Sequence, residues 1–372
     1  MGYTFKGYLR EDGLAGTRNH IGIVSSVICS SVITNEIADK VPGAIPITHA
    51  NGCAQLGDDF QVTKNMLAGI VENPNFHSAL LIGLGCETNQ VAGLLKSIST
   101  TKPLEGFSIQ QMAGGKNTAE RGITTALTWS KEANQSSRTE LPASLLKVGI
   151  VTEDIDEASL QVIAPVINAL IELLITSGAT VVFGLTKTLE PAGNLLALNT
   201  QDASAKKNLT YIGEALSRRR WEKAQGYLRT NFSEQEKSLA ALEYQLINTH
   251  EIQSLLDYNQ KPAKNGLHLI KTSGSIVETL SNFASVGCNL SIILSKRGIL
   301  TGSNALPCMI VTANNGINHT NNLVDYEIQE NQISQQAQAL FTQLIEVSSG
   351  KLTKLEEYEL GEFAIPHIGT TF

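Results

Sequence analysis

A histidine, two cysteines and a glutamate stand on two short loops of similar design, His49-Ala-Asn-Gly-Cys53 and Leu84-Gly-Cys-Glu87. Imidazole and thiolate are suitable ligands for a divalent transition metal such as iron or zinc, and a carboxylate serves either as a further ligand or as a proton acceptor. The spacing from His49 to Cys53 lets one loop supply two contacts, although it is not a diagnostic metal motif. A metal site, a metal-free acid/base site and an uneventful buried arrangement are all compatible with these residue types.

Positioning such groups requires rigid elements, and the flanking patterns supply them. Each loop follows an apolar run short enough for a buried strand, over 44–48 and 78–83, and precedes a helical pattern, over 58–71 and 89–98. Ligands of open parallel sheets bind beyond the carboxyl ends of the strands, so the two loops would face one crevice. The same design recurs before and after them. A strand over 21–28 leads through Cys29-Ser-Ser31 to a helix over 32–41, and a strand over 106–109 leads through Gln110 to Thr118 into a helix over 119–132. Cys29 reads as a small buried hydrophobe, with a ligand role as the alternative. Gly114 and Gly115 allow backbone to approach a ligand, and the helix after them offers unpaired N–H groups to an anion such as a carboxylate. Arg18 ends a polar, Gly-rich leading loop just before the first strand, where it either reaches a bound anion or is an ordinary loop arginine.

Four strand–loop–helix units make residues 1–134 one α/β domain, and the polar stretch 135–144 reads as a linker. Residues 145–372 repeat the alternation, with strands over 145–151, 179–185, 266–270, 289–294 and 308–312 and helices over 157–177, 275–285 and 333–346. The expected class is α/β, with doubly wound, mostly parallel sheets in two successive domains. A polar helical insertion at about 201–259 would cover the site or serve a homo-oligomer contact. The acidic run Thr152-Glu-Asp-Ile-Asp156 is explained by helix capping and dipole effects. Cys288 and Cys308 sit in apolar strand patterns as core thiols.

The 372 residues, 42% of them hydrophobic and 17% charged, fit a globular protein with a substantial core. A net charge of −7 argues against nucleic-acid or anionic-membrane partners, and the one basic cluster, Arg218-Arg-Arg220, reads as a solvated helix face. Five irregularly spaced cysteines indicate reduced thiols in a cytoplasmic setting. No apolar signal core is present, and no run is expected to reach the length of a membrane span.

Dehydration of a hydroxy acid makes a definite demand on a site of this kind. The proton beside a carboxylate is weakly acidic, so the developing enediolate needs a cation or several N–H donors, and the departing hydroxyl needs a proton or a Lewis acid. The chain resembles a family that does such chemistry. Gly7 to Asn19, Thr48-His-Ala-Asn-Gly-Cys53, Leu67 to Asn75 and Gly83-Leu-Gly-Cys-Glu87 together are similar to the large-chain region of the altronate and galactarate dehydratases, with fainter likeness at Gln110–Thr118, Ser349–Glu356 and Gly361–Phe363. That family includes the large subunit of sulfolactate sulfo-lyase. The resemblance implies a hydro-lyase acting on a sugar acid, with Glu87 and His49 catalytic and His49, Cys53 and Cys86 holding a divalent metal. Fe2+ is the expected ion, with Mn2+ or Zn2+ as alternatives. Arg18, Asn19, Gly114, Gly115 and Arg297 would position carboxylate or hydroxyl groups, and a separately encoded small subunit would complete the enzyme.

The second half departs from the family pattern. Thr152-Glu-Asp-Ile-Asp156 stands where the family carries Cys-Gly-Gly-Ser-Asp-Gly, Lys261-Pro-Ala-Lys-Asn-Gly266 lies near the place of a Ser-Pro-Gly-Asn run, and a third motif survives only as Lys296-Arg-Gly298. Asp154 or Asp156 would then replace a lost ligand with oxygen. Sulfo-lyase activity on sulfolactate is one alternative. A catalytically silent member that binds a metabolite or an active partner is the other.

Overall fold

The computed structural model describes residues 2–214, 232–314 and 321–367. The basic cluster Arg218–Arg220, part of the expected insertion and the last five residues lie outside them. The chain is α/β, built on two parallel sheets with helices on their faces.

The smaller sheet comprises β3 (His20–Ser25), β4 (Ala44–Ile47), β5 (Phe76–Gly83) and β6 (Leu104–Ser108), in the order β4-β3-β5-β6. Its central strands are apolar along almost their whole length because helices cover both faces. Period-2 alternation divides them. Ile21, Ile23, Leu80 and Ile82 pack with Ile37 of α1 (Ser31–Asp39) and Trp129 of α4 (Gly115–Gln135). Val24, Ala79 and Leu81 face the other way, toward Met66, Leu67 and Ile70 of α2 (Gly57–Glu72) and Leu94 of α3 (Val91–Ser97).

That second face is shared with the rest of the chain. Val151, Val182, Ile270, Phe283 and Ile293 belong to the same apolar cluster, so the core runs on from one sheet to the other. Helix Ile276–Ser285 lies directly on α2, and a side chain at Gly69 would run into the Ser285 carbonyl. The turn Asn73-Pro-Asn75 seals the contact with hydrogen bonds. Asn73 Nδ2 donates to the carbonyls of Ala284 and Cys288, and Asn75 Nδ2 to those of Asn289 and Ala305.

The larger sheet has seven parallel strands. Its first two in the chain are β8 (Lys147–Glu153) and β9 (Thr180–Leu185), linked by α5 (Glu157–Thr176). With β10 (Ile252–Leu256), β11 (Gly266–Lys271), β12 (Leu290–Ser295), β13 (Cys308–Ala313) and β14 (Tyr326–Ile328), the order is β10-β11-β9-β8-β12-β13-β14. Helix α5 corrects one expectation, since its 20 residues are long and apolar enough to cross a membrane. It packs instead on the sheet and on helix Ile333–Ser348, burying Leu160, Ile163, Ile167, Leu170 and Leu174.

Two further segments differ from expectation. The leading loop contains β1 (Thr4–Leu9), which pairs antiparallel with β2 (Ala15–Gly16) and with β7 (Thr139–Pro142), inside the expected linker. The polar stretch 201–259 holds helices Ala203–Gly213 and Glu234–Tyr244, but its end forms the edge strand β10. Gln253 and Ser254 interrupt that strand's apolar residues at a shift of register, which hides the strand in the sequence.

Candidate functional site

In the smaller sheet the strand order reverses at β3, so the crevice opens beyond the carboxyl ends of β3 and β5. Three loops meet there and are bonded pairwise. Ile28 N–H donates to the Asn51 carbonyl at 3.0 Å, and the Thr88 N–H and hydroxyl both donate to the Cys53 carbonyl. Ser30 Oγ donates to Ile82 O, tying the first loop to the end of β5.

At this junction Glu87 is buried, 2% exposed. Its Oε1 accepts from Ser26 Oγ at 2.8 Å and its Oε2 from the Gly85 N–H at 2.5 Å. Gly83 makes the seat possible, because a side chain there would collide with Glu87 Oε1, Val91 and Ser26 Oγ. Ser26 has no distinguishing signal in the sequence. It follows a buried strand as any small loop residue would.

His49 is buried at the same junction, and both ring nitrogens are engaged. Nε2 lies 3.2 Å from the Ser25 carbonyl and Nδ1 accepts from the Asn51 N–H, which assigns the proton to Nε2. Burial lowers its pKa to about 4, with the bond to Ser25 O acting the other way. The ring is therefore a neutral clamp between the first two loops, with no free nitrogen for a metal. Among the described residues no group of three His, Cys, Asp or Glu side chains is arranged to hold a single metal ion. The set His49, Cys53 and Cys86 does not fit one as it stands.

The cysteines divide cleanly. Cys288 and Cys308 are buried, and burial pushes each thiol up to about 12. Cys53 and Cys86 are exposed on the second and third loops, and Cys29 is exposed on the first, which corrects its reading as a buried hydrophobe. Isolated core packing explains a small apolar side chain inside, not a thiol facing out of a loop at a sheet's carboxyl edge. Several nearby polar atoms lack partners among the described residues, including Ser25 Oγ, Ser31 Oγ and Gln55 Nε2.

The fourth loop joins the group, with Gln110 N–H donating to Leu84 O. Gly114, at φ 122°, has open space where a side chain would be, and α4 begins at Gly115 without a side-chain cap, leaving its first amides available. The remaining expected positions lie elsewhere. Arg18 is held by Glu356 and three backbone carbonyls. Asn19 accepts from Arg10 and donates to Ala133 O, and Arg297 is exposed beyond β12 of the larger sheet.

A cleft of about 660 Å³ lies between the first turns of α2, at Asp58, Gln61 and Asn65, and the ends of β9, β10 and β11, at Leu185, Asp257 and Lys271. Beside it, a cavity of about 250 Å³ is lined by Thr152, Glu153, Asp154, Lys187 and Ser275. Asp156 is not free to act as a ligand in this region. It caps α5 through Ser159 N–H and pairs with Lys296, and although burial alone would raise its carboxyl, these partners hold it at about 2.

Behind the cavity Glu243 is completely buried, its Oε1 accepting from the Thr152 and Thr186 hydroxyls. Burial pushes its carboxyl up to about 7, and the hydroxyl bonds offset only part of that. The native state therefore keeps a proton that the unfolded chain releases, so stability falls as pH rises from the ordinary carboxyl range to about 7 and is level above it. Glu243→Gln is expected to remove this slope and to exceed the parent above pH 7 by on the order of 3 kcal/mol, as measured by urea denaturation across the window.

Comparison with known proteins shows the family of the chain. The second domain of D-galactarate dehydratase/altronate hydrolase matches residues 7–134, and the C-terminal domain of D-galactarate/altronate dehydratase matches residues 143–371. Altronate dehydratases of Bacillus subtilis (strain 168) and Escherichia coli (strain K12) are each 26% identical, over 99% and 98% of this chain and 78% of their own lengths. The (2R)-sulfolactate sulfo-lyase subunit beta of Chromohalobacter salexigens is 23% identical over 99% of this chain and 98% of its own length. With both halves matched in order, the chain belongs to the galactarate dehydratase/altronate hydrolase family.

Proposed function

We propose that this chain is a hydro-lyase that removes water from a sugar acid such as altronate or galactarate to leave a 2-keto acid. The observation that carries the proposal is Glu87, a carboxylate fixed by Ser26 and Gly85 at the switch point of a parallel sheet. Each of its oxygens retains a lone pair after those bonds, so the group has room to accept a proton. Glu87 takes the proton from the carbon bearing the substrate carboxylate, and hydroxide leaves the next carbon. The enol that forms tautomerises to the 2-keto acid.

The uncapped start of α4 with Gly114 holds the substrate carboxylate, and its N–H groups stabilise charge that builds on it during proton removal. His49 keeps the first two loops in register. Activity depends on a divalent ion, Fe2+ first, and His49, with both ring nitrogens bonded, is not among the ligands of a single ion.

Sulfite elimination from sulfolactate is the second reading, because a (2R)-sulfolactate sulfo-lyase subunit beta is 23% identical over 99% of this chain. The name of that relative as a beta subunit also supports a separately encoded small partner here. The test is an anaerobic screen of aldonates, aldarates and sulfolactate with Fe2+, Mn2+ or Zn2+, with and without a small partner chain. Release of 2-keto acid from a sugar acid is expected. Sulfite release alone would support the second reading, and tight binding of an acid with neither product would make the chain a silent binder.

A further inference from the structure

We propose that Cys29, Cys53 and Cys86 together bind a [4Fe–4S] cluster in which one iron has no cysteine ligand. This deepens the hydro-lyase proposal by naming its cofactor and rests on it for the cluster's purpose, though not for its binding. Three of the five cysteines are exposed, and each lies on a different one of the three loops that meet at the switch point.

The loop bonds put the three in register. Cys29 follows Ile28, whose N–H is bonded to Asn51, two residues before Cys53. The Cys53 carbonyl is itself bonded to Thr88, two residues beyond Cys86. Thiolates are soft donors that select iron–sulfur clusters or zinc. A single ion draws its ligands into one tight shell, and no group of three described side chains forms such a shell. A cluster spreads its cysteines over separate irons, so it spans ligands set further apart.

Two residues beyond Cys53, a buried donor is on hand for the negative charge of a cluster and three thiolates. Gln55, 8% exposed, has an Nε2 donor without a partner among the described residues. His49 cannot replace a missing thiolate while both its nitrogens are bonded. On binding, each thiol gives up its proton and no redox change at sulfur is involved. When bound, the cluster supplies Lewis acidity at the iron that lacks cysteine.

The experiment is anaerobic incubation of the full chain with ferric iron, sulfide and dithiothreitol, followed by desalting and measurement of iron, acid-labile sulfide, visible absorption and the EPR of the reduced sample. About four irons and four sulfides per chain are expected, with the charge-transfer absorption of an iron–sulfur centre. Cys29→Ala, Cys53→Ala and Cys86→Ala should each lose most of that absorption while keeping the parent's far-UV circular dichroism, and Cys288→Ala should keep it. One iron per chain without sulfide, or full cluster content in Cys29→Ala, would overturn the proposal. Turnover of a sugar acid by cluster-free protein would overturn it and leave the hydro-lyase reading intact. A stable cluster in protein that releases no keto acid from any sugar acid would do the reverse.

Discussion

Glu87→Gln is expected to lower the rate of keto-acid formation by about 10²–10⁴-fold, the range that a positioned general base contributes. The substitution is nearly isosteric, and the site can absorb it. The new amide would accept the Gly85 N–H through its carbonyl oxygen and turn its NH2 toward Ser26 Oγ, since a hydroxyl accepts as readily as it donates. Folding stability should therefore change little, and loss of activity would report the lost proton acceptor rather than a lost fold. Two measurements separate the roles: turnover of the sugar acid, and exchange of its α-proton with solvent deuterium. Both should fall together if Glu87 removes that proton. A variant that stays within tenfold of the parent in both would sink the assignment.

The place of Glu87 was largely legible in the sequence because it depends on local rules. β3 and β5 are buried on both faces and read as continuous apolar runs, and the crevice position follows from any parallel sheet whose order reverses. What holds the carboxylate was not legible. Ser26 is 61 residues away in the chain, and neither residue type nor spacing links the two. His49 shows the same limit, since an imidazole on a Gly- and Cys-containing loop looks like a ligand until both nitrogens are found bonded to backbone.

Edges of sheets were the other gap. β1 and β7 pair across the whole first domain, so their strand character comes from a partner more than a hundred residues away in sequence rather than from their own composition. β10 is hard to read because Gln253 and Ser254 break its apolar run at a shift of register, and these residues make it resemble the helical segments before it. Capping rules account for the end of the acidic run at Thr152–Asp156, since Asp156 does cap α5. The proton held by Glu243 behind that run had no sequence signal, because a glutamate in a polar helix is ordinarily solvated.

Arg18→Met is expected to destabilise the fold by about 3–5 kcal/mol, the usual cost of removing one partner from a buried ion pair. Sequence position made Arg18 a candidate for substrate binding, but its guanidinium is already fully committed. Nε and Nη2 form a two-pronged pair with Glu356 at 2.6 and 2.7 Å, and the remaining donors reach the carbonyls of Thr17, Val347 and Lys351. The pair ties the start of the smaller sheet to a residue 338 positions later, and Glu356 in turn caps the turn at Thr353. Burial alone would raise the Glu356 carboxyl, but Arg18 outweighs it and the net shift is downward. A depressed carboxylate contributes stability that is present above its unfolded pKa and lost as pH falls through the folded one. The parent should therefore lose stability below about pH 4.5, and this part of the acid slope should be missing in Arg18→Met/Glu356→Leu, in which neither charge remains. Urea denaturation of the parent, the single variant and the double variant measures all three terms. The double variant should recover much of the loss, because apolar replacement of both partners leaves no unpaired buried charge. A single variant of near-parent stability with a strongly raised KM would instead make Arg18 a substrate anchor.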